Sequence, residues 1–371
     1  MPSLHCPLIY SGLYVDFSAL QKENAVIYSS CCLMDWTSGH NSTKLPISED
    51  FWTNEYFNSI RELNKQNVWS ESCGQCSKLE KTNKPSYRQT TLETLGYVSN
   101  LSGPIDLTVK LSNTCTLMCA TCGPVNSTVW QTHMKKYDME VSDPSDSWYG
   151  GTVGTVSDIN THNFFNKLNL DNLQYLRFTG GETTTDKYFQ FIEYISTRCD
   201  ISNLVVTFQT NGTKLLPDKH FQLLNQCRYV RMSISVDGTE EQFNYLRQPA
   251  IWDEVSKNIQ HYNTIDEFQI SIEQTISIFT LLDKHKVELM AEELGIEYFE
   301  HYAFGRYSLA HLTDKYIDAL DDVLLKYVPV EDRTHQEIKN TIEFLEWYDN
   351  STGRNWKITF PQIAQFYSDY I

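Results

Sequence analysis

From residue 103 onward, apolar and polar positions recur with two different periods. Runs at 105–112, 173–179, 204–209, 229–236, 268–277 and 296–304 are short, β-branched or alternating, and read as strands. Between most of them, 186–198, 217–227, 240–261 and 281–294 place apolar residues at helical spacing. Such alternation predicts parallel strands with helices packed outside. The expected fold class is α/β, a partial (β/α)6 parallel barrel, and an open doubly wound sheet would share the same strand count.

The ends of the chain read differently. Residues 1–95 are irregular and cysteine-rich, with a polar turn-rich stretch at 37–43 and one helix expected over 51–66. Residues 141–160, rich in Ser, Asp, Gly and Thr, read as an insertion after the first strand–helix unit and as a candidate lid. Beyond 305, helical spacing returns at 314–327 and 335–347, followed by an aromatic tail at 356–370. The expected organisation is therefore a cysteine-rich segment 1–95, a core 96–305 and C-terminal helices in 306–371. No internal repeat is visible.

Strand alternation also predicts a polar surface inside this core. In the run 229–237, Met232, Ile234 and Val236 share one face, and Ser233, Ser235 and Asp237 share the other. Gln269, Ser271, Glu273 and Thr275 oppose Ile270 and Ile272 in the next run, and Thr207 and Gln209 extend the pattern. Parallel sheets built from crossovers tend to be covered on both faces. Polar faces on successive strands therefore point to a ligand-binding interior, against the plainer reading of a solvated face.

Composition narrows the classes. A chain of 371 residues with 41% hydrophobic content can bury a sizeable core. The formal charge of −17 disfavours a nucleic-acid backbone or an anionic membrane as the main partner. Residues 1–20 have no basic start or long apolar run, and Asp16 falls inside them, so the expectation is a cytoplasmic protein without a membrane span. In a reducing compartment, ten cysteines point to metal ligands or buried thiols instead of disulfides.

Three of these cysteines, Cys115, Cys119 and Cys122, lie in one short loop at the exit of the first core strand. Thiolates are the usual ligands of 4Fe-4S clusters, which normally take four. A loop offering three leaves one iron open to a second molecule. One unit later comes Gly180-Gly181-Glu182, where paired glycines allow close backbone approach. Alone this is a common strand-to-helix turn, with Glu182 favouring the positive end of the next helix. Parallel sheets place ligands at the carboxyl ends of their strands, so both elements are expected at one site.

Together, Cys115-x3-Cys119-x2-Cys122, Gly180-Gly181-Glu182, the run from Gln209 through Asn211 to Thr213, and the run from Ser233 through Ser235 and Asp237 to Gly238 resemble the radical S-adenosylmethionine superfamily. The resemblance implies that the three cysteines hold a 4Fe-4S cluster whose open iron chelates the amino and carboxylate groups of S-adenosylmethionine. It implies contacts from Gly180, Gly181 and Glu182 to the methionine amino group. Gln209, Asn211, Ser235 and Asp237 become candidates for the ribose and carboxylate. The implied activity is reductive cleavage to a 5′-deoxyadenosyl radical that abstracts hydrogen from a substrate, with the cofactors carrying the chemistry. Thr121 departs from the aromatic residue that many members carry before the third cysteine.

The amino-terminal cysteines, Cys6, Cys31, Cys32, Cys73 and Cys76, suffice for one further four-thiolate site, and spacing alone does not separate iron–sulfur from zinc. With Glu80 and the run from Ser86 to Arg88, they resemble the auxiliary-cluster domain called SPASM or twitch, in a phage-like subgroup that places it before the core. The ligands implied are Cys6, Cys31, Cys73 and Cys76, with Cys32 exchangeable for Cys31. Cys199 and Cys227 read as core packing. The implied partners are an electron donor such as flavodoxin or ferredoxin and a peptide or protein substrate. A sugar, nucleotide or small metabolite remains an alternative substrate, and the rival class is a non-catalytic zinc-stabilised binding protein.

Overall fold

A computed structural model describes residues 4–17, 25–34, 43–46, 52–81, 83, 85–98, 102–137, 158–303, 305–328 and 335–371. Most of the expected insertion at 141–160 lies outside the described residues.

The α/β expectation holds. One open sheet of nine strands comprises β1 (Gly12–Asp16), β2 (Ala25–Ser29), β3 (Thr43–Pro46), β4 (Asp106–Lys110), β5 (Tyr175–Phe178), β6 (Val205–Thr210), β7 (Tyr229–Ser235), β8 (Phe268–Ile276) and β9 (Glu297–Tyr302). Their order is β3-β2-β1-β4-β5-β6-β7-β8-β9. The six strands expected from alternation are β4 to β9. Parallel pairing joins β4 to β5, β5 to β6 and β8 to β9, while β2 and β3 are antiparallel additions at one edge.

The first three strands were not legible in the sequence. β1 runs parallel to β4 with Gly12 opposite Asp106 and Asp16 opposite Lys110. An ion pair of 3.2 Å between Lys110 Nζ and Asp16 reinforces this register. Strands of four or five residues give too short an alternation to stand out from irregular chain. The helix expected over 240–261 is two helices, Glu240–Leu246 and Trp252–Tyr262. Pro249 lies between them and cannot donate a helical hydrogen bond. Residues 314–327 likewise form two short helices, Asp314–Ile317 and Asp322–Leu325, capped by the side chains of Thr313 and Asp321.

The chain divides into two compact units. The first takes described residues from 1–114, 152–208 and 216–231. Its apolar core includes Phe17, Phe164, Phe165, Phe178, Phe191 and Phe208 in a chain of ring contacts. The second takes described residues from 115–151, 209–215 and 232–371. Its core joins Met118, Ala120 and Trp130 to Tyr245, Phe279, Tyr307, Phe344, Tyr348 and Trp356. The C-terminal helices His335–Thr352 and Trp356–Thr359 thus share a core with the cysteine loop. Among the described residues, no helix is long and apolar enough to cross a membrane.

Candidate functional site

In the second unit, the loop carrying Cys115, Cys119 and Cys122 has no regular structure of its own and borrows its shape from neighbours. Met118 N–H donates to the Gln248 carbonyl and Ala120 N–H to the Leu246 carbonyl, both at 2.7 Å. Trp130 Nε1 donates to the Cys119 carbonyl at 2.9 Å, and the Tyr348 hydroxyl to the Met118 carbonyl at 3.0 Å. Ser127 Oγ donates to the Leu117 carbonyl at 2.6 Å and accepts from Trp130 N–H, capping the helix Thr128–Lys136. The loop's buried carbonyls are paired in this way, as buried backbone must be.

Around these thiols the second unit places polar groups. Asn211 Nδ2 lies 3.9 Å from Cys115 Sγ, while its Oδ1 accepts from Thr213 N–H and Oγ1. Arg247 is buried opposite Cys119, and its Nε donates to Asp237 Oδ2 at 3.0 Å. Asp237 Oδ1 accepts from Thr275 N–H at 3.0 Å. Burial pushes the Cys119 thiol well above its usual value; the Arg247 charge opposes that rise, and Cys122, Cys115 and Asp237 add to it. Ser235 is half-buried and Gln209 exposed. Among the described residues, no three His, Cys, Asp or Glu side chains stand close enough together to hold a metal as they are.

The polar faces expected on β7 and β8 are present and mostly paired. Ser233 and Ser271 are buried and share a 2.9 Å hydrogen bond between their hydroxyls. On the same face as Ser271, Glu273 contacts the His301 imidazole of β9 through Nε2. That contact holds the His301 pKa above its usual value, with Asp237 adding to the rise. Gln269 Oε1 is buried with no partner among the described residues.

In the first unit, the turn at Gly180, Gly181 and Glu182 is built for close backbone approach. Both glycines have positive φ, 78° and 59°. A Cβ at Gly181 would lie 2.5 Å from the Thr114 carbonyl oxygen. Glu182 N–H donates to that same carbonyl at 2.7 Å, one peptide bond before Cys115 in the chain. The glycines thus serve the turn's approach to residues 113–114. Glu182 is buried, and its Oε1 accepts from Thr184 N–H and Oγ1.

Also in the first unit, Cys6, Cys31, Cys73 and Cys76 line one pocket together with Ile9, Met34 and Ile60, and Cys32 is not in its wall. Burial pushes the Cys6 thiol up to about 11 and the Cys73 thiol to about 12. The cysteine segments are tied by Arg88, whose Nε and Nη2 grip Glu80 at 2.8 and 2.7 Å and whose Nη1 donates to the His5 carbonyl at 2.9 Å. Ser86 Oγ donates to Glu80 at 2.6 Å. Cys6 N–H reaches Asn64 Oδ1 at 3.4 Å. The sequence pattern that grouped Glu80, Ser86 and Arg88 with the cysteines therefore corresponds to a physical brace.

Sequence reasoning missed Arg247 and His301. Arg247 ends an amphipathic helix, where a solvated cation near the negative helix terminus is the ordinary expectation. Its one available signal was Asp237, ten residues earlier on the polar strand face.

No family model matches the chain, and no curated protein matches it by sequence. Among solved structures, Streptococcus suis SuiB bound to S-adenosylmethionine is 14% identical with a TM-score of 0.37, covering 79% of this chain and 57% of SuiB. Native anSMEcpe with bound AdoMet is 17% identical with a TM-score of 0.41, covering 68% of this chain and 63% of its own. SuiB bound to its precursor peptide SuiA is 14% identical with a TM-score of 0.37, covering 82% and 53%. The chain thus spans less than two thirds of the length of each, and these are distant likenesses.

Proposed function

We propose that this protein is a radical S-adenosylmethionine enzyme. The observation that carries the reading is the Cys115-x3-Cys119-x2-Cys122 loop, clamped by backbone bonds to Leu246 and Gln248, with the Asn211 amide against Cys115 Sγ. This donor set suits a 4Fe-4S cluster with one open iron, because three soft thiolates come from one loop and no fourth cysteine lies in it. When bound, that group supplies the electron for reductive cleavage of S-adenosylmethionine and hence for hydrogen abstraction from substrate.

The chain's residues have separable tasks in this reading. Cys115, Cys119 and Cys122 ligate the cluster. Gly180, Gly181, Glu182, Gln209, Asn211, Ser235 and Asp237 are the candidate contacts to S-adenosylmethionine. Trp130, Tyr348 and the aromatic core behind them hold the loop and exclude water from one side of it. The segment 1–95 carries an auxiliary site on Cys6, Cys31, Cys73 and Cys76; the shared pocket favours Cys31 over Cys32. The segment 96–305 forms the core and 306–371 a helical extension. A flavodoxin- or ferredoxin-type donor would supply the electron in a cytoplasmic setting. A peptide or protein substrate follows from the SPASM/twitch resemblance of the cysteine pattern.

Anaerobically reconstituted protein with a strong reductant is expected to convert S-adenosylmethionine to 5′-deoxyadenosine. Cys119→Ala should abolish that conversion. The wild type should carry about eight irons in two four-iron clusters. Four irons plus one zinc would restrict the reading to the core cluster, and a colourless zinc protein without cleavage would end it.

A further inference from the structure

Arg247 is a buried cation with more donors than its partner uses. Its Nε is committed to Asp237, whose side chain is itself fully buried. The Arg247 side chain is only 10% exposed. The two carbonyls flanking Arg247 in sequence, Leu246 and Gln248, accept from Ala120 and Met118, so that Arg247 and Cys119 are held facing each other by a two-rung clamp. Cys119 and Cys122 both feel the guanidinium charge. Asp237 is anchored from behind by Thr275 N–H, and Gln274 Nε2 donates to its carbonyl at 3.2 Å.

Asp237 pairs the guanidinium through Nε alone, so its other donors and its charge stay available to the loop whose Cys119 and Cys122 feel it. The facing atoms come from the cysteine loop. Resting on the cluster reading above, we propose that Arg247 is a positioning residue that sets the reduction potential of the group held by Cys115, Cys119 and Cys122. Asp237 orients it and partly offsets its charge. A cation next to an iron–sulfur group favours the more negative, reduced state and raises its potential, and a nearby carboxylate does the reverse. The Asp237–Arg247 pair is then an adjustable field behind the loop.

The test is an EPR-monitored redox titration of the anaerobically reconstituted full chain, without S-adenosylmethionine, comparing wild type, Arg247→Lys, Arg247→Gln and Asp237→Asn. At the wild-type midpoint, Arg247→Gln should lower the reduced-to-oxidised ratio about tenfold, equivalent to ~59 mV for one electron. Arg247→Lys keeps the charge and should stay near wild type. Asp237→Asn should raise the ratio, giving an opposite sign that a purely structural role would not produce. If Arg247→Gln fails to fold, the upward shift in Asp237→Asn still decides. Equal midpoints in all folded variants with intact cluster signals would overturn this role and leave the enzyme reading standing. So would shifts that appear only after S-adenosylmethionine is added, since the guanidinium would then serve the bound molecule. A wild type with no EPR-active cluster ends both.

Discussion

Arg88 shows how one side chain can replace missing secondary structure. It joins Glu80, eight residues away, to the His5 carbonyl, 83 residues away, with only 8% of its own side chain exposed. Arg88→Ala should therefore destabilise the first unit by about 3 kcal/mol, because Glu80 is left mostly buried with only the Ser86 hydroxyl against its charge. Denaturant unfolding and faster thiol labelling of Cys6 would show it. His301 gives a pH signature of the opposite kind. Its folded-state pKa is raised, so the stabilisation from Glu273 is complete below the ordinary value of 6.5 and is lost as pH rises through the folded value. Stability curves of wild type and His301→Gln should therefore converge toward alkaline pH and separate below 6.5. A constant gap across pH would contradict this. The cysteines were legible because their chemistry is local; Arg88 was legible only as part of a pattern. Arg247 was hidden because its partners are brought in by tertiary packing.

The helix Thr128–Lys136 follows the cysteine loop and depends on Ser127 at both of its ends of contact. The same hydroxyl caps Trp130 N–H and donates to the Leu117 carbonyl. Ser127→Ala should cost about 1 to 2 kcal/mol in stability, the upper part of the usual range for a lost cap, because a loop carbonyl is orphaned as well. On the proposed cluster reading, its distinguishing mark is faster iron loss to a chelator from the reconstituted protein with unchanged helix content by circular dichroism. At this scale the long periodic elements were readable: β4 to β9 and their helices are where alternation placed them. Short elements were not. β1 to β3 run four or five residues each, and the interrupted helices around Pro249 and Leu320 depend on caps and chain breaks that periodicity averages over.

Across the molecule, the amino-terminal segment is both the bearer of a thiol pocket and a structural part of the sheet. β1 fills the place beside β4 that a chain beginning at residue 96 would leave as an open strand edge. A truncation lacking 1–95 is expected to aggregate, even with every cysteine of the core loop retained. Recovery of a soluble truncation with the far-ultraviolet spectrum expected for the remaining strands would contradict that. The class of fold was visible from strand–helix alternation, but this joining was not. Parallel pairing leaves no turn signal between the partners, unlike a hairpin.

That pairing also orders the chain in time. β1 leaves the ribosome roughly ninety residues before β4 exists to receive it, so its contacts are among the slowest to close by topology. By the end of that interval Cys6, Cys31, Cys73 and Cys76 have all been synthesised, and so has every residue that lines their pocket, the last being Arg88. The thiol pocket can thus close on residues 4–88 alone, while the sheet edge it belongs to waits for β4.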